Sequence, residues 1–237
     1  MIDFHSHILP CIDDGAKNPE KAVEMIKQAL AQGVETIVAT PHFNIDEMDI
    51  PYFLKKRSAS MQMLNDAAKE AEISCPKIVC AAEVYLLPGT AVKKGIEQLC
   101  IEGTNCMLVE MPVGRWTGWV FNEIYQLRQK DIVPVLAHPE RYIADRENIE
   151  KLLRLLEMEV CLQINADSVS LFKYKKIIKH FVSACEMIVL GSDAHDTDHR
   201  ASHIEKATKV LTKKFGERFV KDITTNAKML LHGDFSF

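Results

Sequence analysis

Histidines and carboxylates near the amino terminus have a spacing that suits a metal ion. His5 and His7 lie at the end of the first predicted strand, and Asp13 and Asp14 follow in the stretch HSHILPCIDDG. Residues i and i+2 of an extended chain point to the same side, so both imidazoles can bind one cation. A helix cap or a surface turn would account for the aspartates alone, whereas the H-x-H pair predicts a metal site.

Similar residues stand at the ends of the other predicted strands. Asp193 and His195 repeat the i, i+2 spacing after the last strand, in GSDAHD. Between them, the candidates that follow apolar runs are His42, Glu83, Glu110 and His138. A single such residue is most often a hydrogen-bonded loop residue, but six of seven strand ends carrying one are improbable by chance. The pattern therefore predicts a metal centre.

The size of this set indicates more than one ion. The nine candidate ligands are His5, His7, Asp14, His42, Glu83, Glu110, His138, Asp193 and His195. Two or three ions would share them, with a carboxylate such as Glu83 as the bridge. Imidazole and carboxylate ligands suit manganese, zinc or iron, and the absence of cysteine argues against a structural zinc site. Three divalent ions would exceed the charge of the four carboxylates, which favours a hydroxide and an anionic phosphate ester as further ligands.

The elements that position these residues alternate along the chain. Short apolar runs predict strands over residues 2–5, 36–40, 77–82, 106–111, 132–137, 160–164 and 187–190. Helical periodicity covers residues 19–32, 52–72, 119–130, 146–158 and 173–184, and residues 200–232 are mostly helical. Asn18 is the expected N-cap of the first helix, and Gly33 ends it.

Seven βα units in succession predict an α/β fold, a TIM-like barrel with one unit fewer than the usual eight. The strands are continuously hydrophobic, as in parallel sheets that are buried on both faces. An open doubly wound sheet is the alternative, but the glycine-rich turn of a dinucleotide fold is missing after the first strand. In a barrel, the carboxyl ends of the strands meet at one mouth, where all the candidate ligands would lie.

Composition narrows the classes of function. The 237 residues carry a net charge of −4, which gives no reason to expect binding to nucleic acid or to an anionic membrane surface. Direct insertion into a membrane is not expected either, because no run of apolar residues is long enough. The seven cysteines include no C-x-x-C pair, and no signal peptide or spanning segment is apparent, so a cytoplasmic protein is expected. One domain over residues 1–237 is predicted, and the pattern favours no particular oligomeric state.

The motifs HSHILPCIDDG, IVATPHF, AAEVY, LVEMP, AHPERY and GSDAH resemble those of the PHP (polymerase and histidinol phosphatase) superfamily. The branch they resemble most contains the bacterial manganese-dependent protein-tyrosine phosphatases of capsule and exopolysaccharide synthesis. The resemblance extends over almost the whole chain. It implies a distorted (β/α)7 barrel of the PHP type and a centre of three divalent ions, with Mn²⁺ expected and iron or zinc as alternatives.

The resemblance also implies how the ligands are shared. One ion would be held by His5, His7, Glu83 and Asp193. The second would be held by Glu83, Glu110 and His138, and the third by Asp14, His42 and His195. In the IDDG pair, the family pattern favours Asp14 as ligand, which leaves Asp13 to support another ligand or to cap a helix.

Two arginines and two tryptophans lie in or near these motifs. Arg141 and Arg200 follow ligand histidines by three and five residues, and match phosphate-binding arginines of the family. A guanidinium can bind phosphate oxygens in bidentate fashion; a surface ion pair is the other interpretation. Trp116 or Trp119 could stack on a phosphotyrosine ring, although core packing is more usual, and Arg115 could contact a phosphopeptide.

The predicted function is metal-dependent hydrolysis of phosphotyrosine in proteins by attack of a metal-activated water. The resemblance implies a bacterial tyrosine autokinase as substrate, and thereby control of polysaccharide synthesis. No cysteine has an arginine six positions later, which argues against a cysteinyl-phosphate route. The alternatives are a phosphatase for a small monoester such as histidinol phosphate, or an amidohydrolase. Amidohydrolases typically place a metal-bridging lysine at strand four, where this chain has Glu110.

Overall fold

The protein alternates parallel strands and helices, as the computed structural model shows for residues 1–144 and 146–233. The predicted domain of residues 1–237 includes Asp145 and residues 234–237, which lie outside the described residues. The strands are β1 Ile2–Ser6, β2 Thr36–Ala39, β3 His42–Phe43, β4 Lys77–Cys80, β5 Glu83–Tyr85, β6 Cys106–Glu110, β7 Val133–Ala137, β8 Cys161–Asn165 and β9 Ile188–Gly191. All seven predicted strands are present, within one or two residues of their expected bounds.

The helices also follow the prediction closely. They are α1 Pro19–Ala31, α2 Ile50–Glu70, α3 Gly118–Arg128, α4 Arg146–Leu156, α5 Ala166–Ser170, α6 Lys175–Ala184, α7 Ile204–Phe215 and α8 Glu217–His232, with short 3-10 helices at Ile96–Leu99, Pro139–Ala144 and Phe172–Tyr174. Asn18 caps α1 as predicted, because its Oδ1 accepts from Lys21 N at 2.8 Å. Helix α2 begins earlier than predicted, since Asp49 Oδ1 accepts from Tyr52 N at 2.8 Å and caps it.

Every strand pair is parallel, which confirms the α/β class. One sheet has the order β1-β2-β4 and the other β3-β5-β6-β7-β8-β9. Two strands are interrupted, and each has one part in either sheet. The first consists of β2 and β3, and the second consists of β4 and β5. The ladder continues between them through Ala81 N to Ala39 O at 2.9 Å and Glu83 N to Pro41 O at 3.0 Å. Pro41 has no N–H to donate at the first interruption.

The first and last strands lie side by side, as the predicted barrel requires. Asp193 N donates to His5 O at 2.8 Å, and His7 N donates to Ala194 O at 2.9 Å. These bonds join the carboxyl end of β1, and His7 just after it, to the residues that follow β9. They bring the H-x-H and D-x-H motifs together although 186 residues separate His7 from Asp193.

The core has two parts, one on each face of the strands. The larger cluster packs the strands against the helices. The smaller one is built from side chains of β1, β2, β4, β6, β7, β8 and β9, together with Ala227 and Leu230 of α8. Along β7, for example, Val133 and Val135 belong to the smaller cluster and Leu136 to the larger, as the alternation of a strand requires. No described helix has the length and apolar character that crossing a bilayer requires.

Candidate metal centre

The ends of the strands bring the predicted ligands into three overlapping groups. In each group the nitrogen and carboxylate oxygen atoms lie within 4.8 Å of one another. The groups are His5, His7, Glu83 and Asp193; His7, Asp14, His42 and His195; and His42, Glu83 and Glu110. Eight of the nine predicted ligands are members, and the ninth, His138, contacts Glu83. Glu83, His7 and His42 each occur in two groups, and only Glu83 among them has two oxygens with which it could bridge ions.

His5 and His7 turn the same ring nitrogen toward each other. Their Nε2 atoms are 3.0 Å apart, and both rings are completely buried. Each Nδ1 has a partner of its own: Gln163 Oε1 at 2.9 Å for His5 and Asp13 Oδ2 at 2.7 Å for His7. Both partners are acceptors, so each Nδ1 carries a hydrogen and each Nε2 presents a lone pair. Two facing lone pairs repel unless a cation or a proton lies between them.

Glu83 supplies the most direct test of whether a metal ion fits. Its Oε2 is buried and makes no hydrogen bond within the described residues. Three ring nitrogens surround this oxygen: His5 Nε2 and His7 Nε2 at 3.3 Å, and His42 Nδ1 at 3.0 Å. Leaving a buried carboxylate oxygen without partners is costly, whereas one bound cation would satisfy this oxygen and its neighbours together. The donor set therefore fits divalent metal ions.

The two aspartates of the IDDG stretch have different surroundings. Asp13 Oδ2 accepts from His7 Nδ1 at 2.7 Å and from His42 N at 3.1 Å, and its Oδ1 accepts from Gly15 N at 2.9 Å. Asp14 is 63% exposed, and its Oδ1 lies 3.4 Å from His42 Nε2 and 3.3 Å from His195 Nε2. Asp13 thus supports ligand histidines, and Asp14 has an oxygen within reach of an ion. This is the arrangement that the family pattern favoured.

Glu110 and His138 are two further predicted ligands near Glu83. Burial, and then the negative charge of Glu83, raise the pKa of Glu110 to about 7. His138 Nε2 is 2.8 Å from Glu83 Oε1, and its Nδ1 is 3.3 Å from the Tyr142 hydroxyl. The structure places His42 with Glu83 and Glu110, where the resemblance expected His138, so both histidines are candidates for this position.

The backbone at two of these residues has an uncommon conformation. His138 has φ +33° and Asp193 has φ +55°, both in the left-handed region that residues with a Cβ seldom adopt. Such conformations cost free energy and persist only where surrounding contacts impose them. Here they turn the side chains after β7 and β9 back over the ends of the strands, toward Glu83.

Charge balance inside the site depends on the pairing of acids with imidazoles. Burial disfavours protonation of His5, but Glu83 and Asp193 outweigh it and raise the pKa of His5. Burial would raise the pKa of the Glu83 carboxyl, yet His5 and the other histidines hold it well below its usual range. The pKa of Asp193 is also held well below its ordinary value, because His5, His7 and Arg141 outweigh the effect of burial. The carboxyl groups of Glu83 and Asp193 are therefore ionised.

Arg141 and Arg200 both reach Asp193 from the rim of the site. Arg141 Nη2 pairs with Asp193 Oδ2, and Arg200 Nη2 lies 3.4 Å from both oxygens of the same carboxylate. Arg200 Nη1 is also 3.3 Å from Asp14 Oδ2. Their side chains are 40% and 41% exposed, so both are partly open to solvent. The two motif arginines thus lie together, close enough to contact one anionic group.

Gln163 and Asn165 are buried residues of β8 that connect three predicted ligands. Gln163 Oε1 accepts from the backbone N–H of His138 at 3.2 Å, which identifies this atom as the oxygen. The same oxygen accepts from His5 Nδ1, while Gln163 Nε2 donates to Asn165 Oδ1 at 2.8 Å. Asn165 Nδ2 then donates to Asp193 Oδ2 at 3.0 Å. The sequence analysis did not identify Gln163 as a site residue. The signal that could have identified it is a polar residue two positions before the end of an otherwise apolar strand.

The two tryptophans and Arg115 follow β6, and each contacts other residues of the protein. Trp116 is buried, its Nε1 donates to Pro112 O at 2.9 Å, and it packs against Tyr142 with ring centroids 5.5 Å apart. Trp119 is half-buried against the core. Arg115 is paired with Glu147 at 2.7 Å. The geometry favours the packing interpretation of Trp116 over stacking on a substrate.

Comparison with known proteins gives a consistent picture. The family model described as "Capsular polysaccharide synthesis, CpsB/CapC" matches residues 1–232. Tyrosine-protein phosphatase YwqE of Bacillus subtilis is 32% identical over 100% of this chain and 94% of its own. Tyrosine-protein phosphatase CpsB of Streptococcus pneumoniae is 28% identical over 94% of each chain.

Solved structures support the same relationship. A structure from a study of YwqE from B. subtilis and CpsB from S. pneumoniae, described as unique metal-dependent tyrosine phosphatases, superposes with a TM-score of 0.87. The match has 30% identity and covers 100% of this chain and 96% of the other. An organophosphorus hydrolase from Deinococcus radiodurans matches with a TM-score of 0.55 and 12% identity, over 98% of this chain and 92% of its own. That second likeness concerns the fold alone.

Proposed function

Because the chain belongs to the CpsB/CapC family of capsular polysaccharide synthesis, we propose that it is a metal-dependent phosphatase of phosphotyrosine in proteins. The observation that carries the proposal is the surroundings of Glu83. One unbonded, buried carboxylate oxygen lies within 3.3 Å of three imidazole nitrogens, with Arg141 and Arg200 at the rim. The site therefore combines carboxylate and imidazole groups that can bind cations with guanidinium groups that can donate hydrogen bonds to a phosphate.

Nine residues would hold the metal ions, and we propose three ions, with Mn²⁺ as the native metal. His5, His7, Glu83 and Asp193 would bind one; Asp14, His42 and His195 would bind another, with His7 nearby; Glu83 and Glu110 would bind the third, with His138 or His42. The three groups of converging donor atoms support the number, and the mixture of imidazole and carboxylate supports manganese or iron over a structural zinc. When bound, such ions polarise phosphoryl oxygens and activate a water molecule for attack on phosphorus.

The protein's own groups perform the remaining tasks. Gln163 and Asp13 hold the Nδ1–H groups of His5 and His7, which keeps both Nε2 lone pairs directed at the ions. Arg141 and Arg200 would bind phosphoryl oxygens through their guanidinium N–H groups, and would stabilise the negative charge of the transition state. The phosphate would thus lie between the metal ligands and the two guanidinium groups.

The protein substrate that we propose is a bacterial tyrosine autokinase of capsule or exopolysaccharide synthesis. The family description supports a role in capsule synthesis, and the names of the relatives support phosphotyrosine in proteins as the substrate. The choice of an autokinase follows from the resemblance of the sequence motifs. We also propose a cytoplasmic location, which is supported by seven cysteines that are all free thiols. A single catalytic domain is supported by ligands that come from every part of the chain between His5 and His195.

The test compares two substrates on protein that has been chelated and then reloaded with manganese. A phosphotyrosine peptide should be hydrolysed with a much higher kcat/KM than histidinol phosphate, and only after metal is restored. A preference for histidinol phosphate would keep the site but contradict the proposed substrate. Hydrolysis of neither compound by the metal-loaded protein would contradict phosphatase activity and favour an amidohydrolase. Glu83→Gln should be inactive on both substrates, whereas Gln62→Glu, on the exposed side of α2, should behave as the parent protein does.

A further inference from the structure

A groove between α4 and α6 lies outside the candidate metal centre. It has a volume of about 530 Å³, and Ile149 of α4 and Ile177 of α6 form its apolar floor. Polar and charged side chains make up its rim: Lys173, Lys176, Lys179, His180 and Ser183. We call it the α4–α6 groove. Its rim is basic, in a protein whose net charge is −4.

The lysines of this region are not neutralised by neighbouring acids. Lys173, Lys175, Lys176 and Lys179 are all exposed, and within the described part of the chain none has a carboxylate at ion-pair distance. Other exposed lysines do, as with Lys209 and Glu205 at 2.5 Å. After burial, the charge of Lys175 is the second cause that lowers the pKa of nearby Lys214. The described residues of the rim therefore have a net positive charge that an anionic ligand would offset.

Few residues of the sequence separate the groove from the metal centre. Asn165, at the end of β8, donates to Asp193 within the centre. Helix α5 follows immediately and leads to Leu171 and Phe172, which are 45% and 89% exposed, next to Lys173 of the rim. Only seven residues separate Asn165 from Phe172, a span of at most about 25 Å. A peptide of about seven extended residues is therefore long enough to cover the distance.

We propose that the α4–α6 groove binds an acidic segment of the phosphorylated protein substrate, at about seven or more residues from the phosphotyrosine that occupies the metal centre. This inference rests on the proposed function and extends it, because it gives the substrate protein a second contact. Lysines of the rim bind the carboxylates of the segment, and Phe172 packs against its apolar side chains on the way to the centre.

The shape of the groove favours a peptide over a membrane surface. Ile177 is 7% exposed at the floor between two helices, so a flat bilayer cannot contact it, whereas a side chain of an extended peptide can. An acidic peptide needs only the local positive charge of the rim.

The test uses two phosphotyrosine peptides and two charge-reversal variants. One peptide carries a run of glutamates that begins about seven residues from the phosphotyrosine, and the other carries glutamines in the same places. The first variant combines Lys173→Glu, Lys176→Glu and Lys179→Glu. The control variant combines Lys206→Glu, Lys221→Glu and Lys228→Glu, which are exposed lysines of α7 and α8, so both variants have the same change in net charge.

We expect the groove variant to raise KM for the glutamate peptide about tenfold, with kcat unchanged, as the loss of several exposed ion pairs implies. KM for the glutamine peptide should stay the same in every protein, and the control variant should match the parent protein. High salt should remove the advantage of the glutamate peptide, because exposed charges are screened.

Three results would overturn the inference. Equal KM values for the glutamate peptide in the parent and groove variant would remove the groove from substrate binding. Equal increases in both variants would indicate general charge steering. Loss of binding to phosphatidylserine vesicles in the groove variant, with peptide KM unchanged, would make the groove a membrane contact.

A binding measurement separates this inference from the proposed function. Fluorescence anisotropy reports binding of the unphosphorylated glutamate peptide without any turnover. If neither phosphopeptide is hydrolysed but the unphosphorylated peptide binds the parent protein and not the groove variant, the proposed function fails and the groove remains an acidic-peptide site. Hydrolysis without such binding would contradict the groove alone.

Discussion

Gln163 Oε1 lies 2.9 Å from His5 Nδ1, across 158 residues of sequence, and it determines which nitrogen of that imidazole can bind a metal ion. The assignment rests on the backbone, because the same oxygen accepts from the N–H of His138 at 3.2 Å. His5 therefore carries its hydrogen on Nδ1 and directs Nε2 toward His7, Glu83 and Asp193. A neutral amide thus sets the tautomer of a predicted metal ligand.

Replacement of Gln163 tests that role. Gln163→Met removes the acceptor for His5 Nδ1–H and the donor to Asn165, so we expect metal affinity to fall about 10- to 100-fold. Gln163→Glu keeps the acceptor but cannot donate to Asn165, and its loss should be smaller. Manganese titration followed by electron paramagnetic resonance measures both. Affinity equal to that of the parent protein in the Met variant would show that His5 needs no such partner.

Chelation tests the metal centre itself. Binding that is specific to the folded state stabilises by about 2.7 kcal/mol at a ligand concentration 100 times Kd. For a chain of this size we therefore expect removal of metal to lower Tm by roughly 5–10 °C. Differential scanning fluorimetry before and after manganese is restored gives the shift, with Glu83→Gln as the comparison. A variant that gains as much from manganese as the parent protein does would rule out Glu83 as a bridging ligand.

The arginines should affect turnover without affecting metal content. Arg200→Ala removes N–H donors next to Asp193 and Asp14, and we expect kcat to fall about 100- to 1,000-fold. Arg200→Lys should recover only part of the loss, because an ammonium cannot bind two oxygens in the same plane. The control is Arg115→Ala, whose ion pair with Glu147 is exposed. Bound metal is measured by inductively coupled plasma mass spectrometry. Loss of metal in Arg200→Ala would show that this arginine supports the metal centre instead of acting only in turnover.

Gly191 allows a close approach behind His5. A Cβ at this position would lie 2.6 Å from His5 Cβ and 2.8 Å from Gln163 Nε2. Gly191→Ala should therefore displace both side chains, lowering manganese affinity and the free energy of unfolding together. Gly118→Ala is the matched control, because an added Cβ there meets nothing within 4 Å. Isothermal titration with manganese and urea unfolding measure the two effects, and an unchanged manganese affinity would show that the site accommodates the methyl group.

Trp116 should contribute to stability and not to recognition of the phosphotyrosine ring. Trp116→Ala deletes a buried side chain and its hydrogen bond to Pro112 O, at an expected cost of about 3–5 kcal/mol. Trp116→Phe keeps most of the packing and should lose less. At a temperature where both variants are folded, KM for a phosphotyrosine peptide should equal that of the parent protein. A large rise in KM for the Phe variant would restore the stacking interpretation.

The sequence by itself was enough to locate the strands and the residues that end them. Each strand is a short apolar run followed by polar residues, and this pattern is local, so 106–111 and 132–137 were predicted to within one residue. Because parallel strands share one carboxyl edge, the pattern also predicted that the H-x-H and D-x-H motifs meet. The motifs PHF, AAEVY and HPER identified His42, Glu83 and His138 as candidates for the same reason.

Only the tertiary structure decided which atoms face each other. Asp13 and Asp14 are adjacent in sequence, but the loop turns between them. Asp13 binds His7, whereas Asp14 is exposed and lies near His195. The partnership of Gln163 with His5 and the proximity of His42 to Glu83 depend on how the strands are arranged around the site. Strand periodicity says which face a side chain occupies, whereas distances across the site depend on strands that are far apart along the chain.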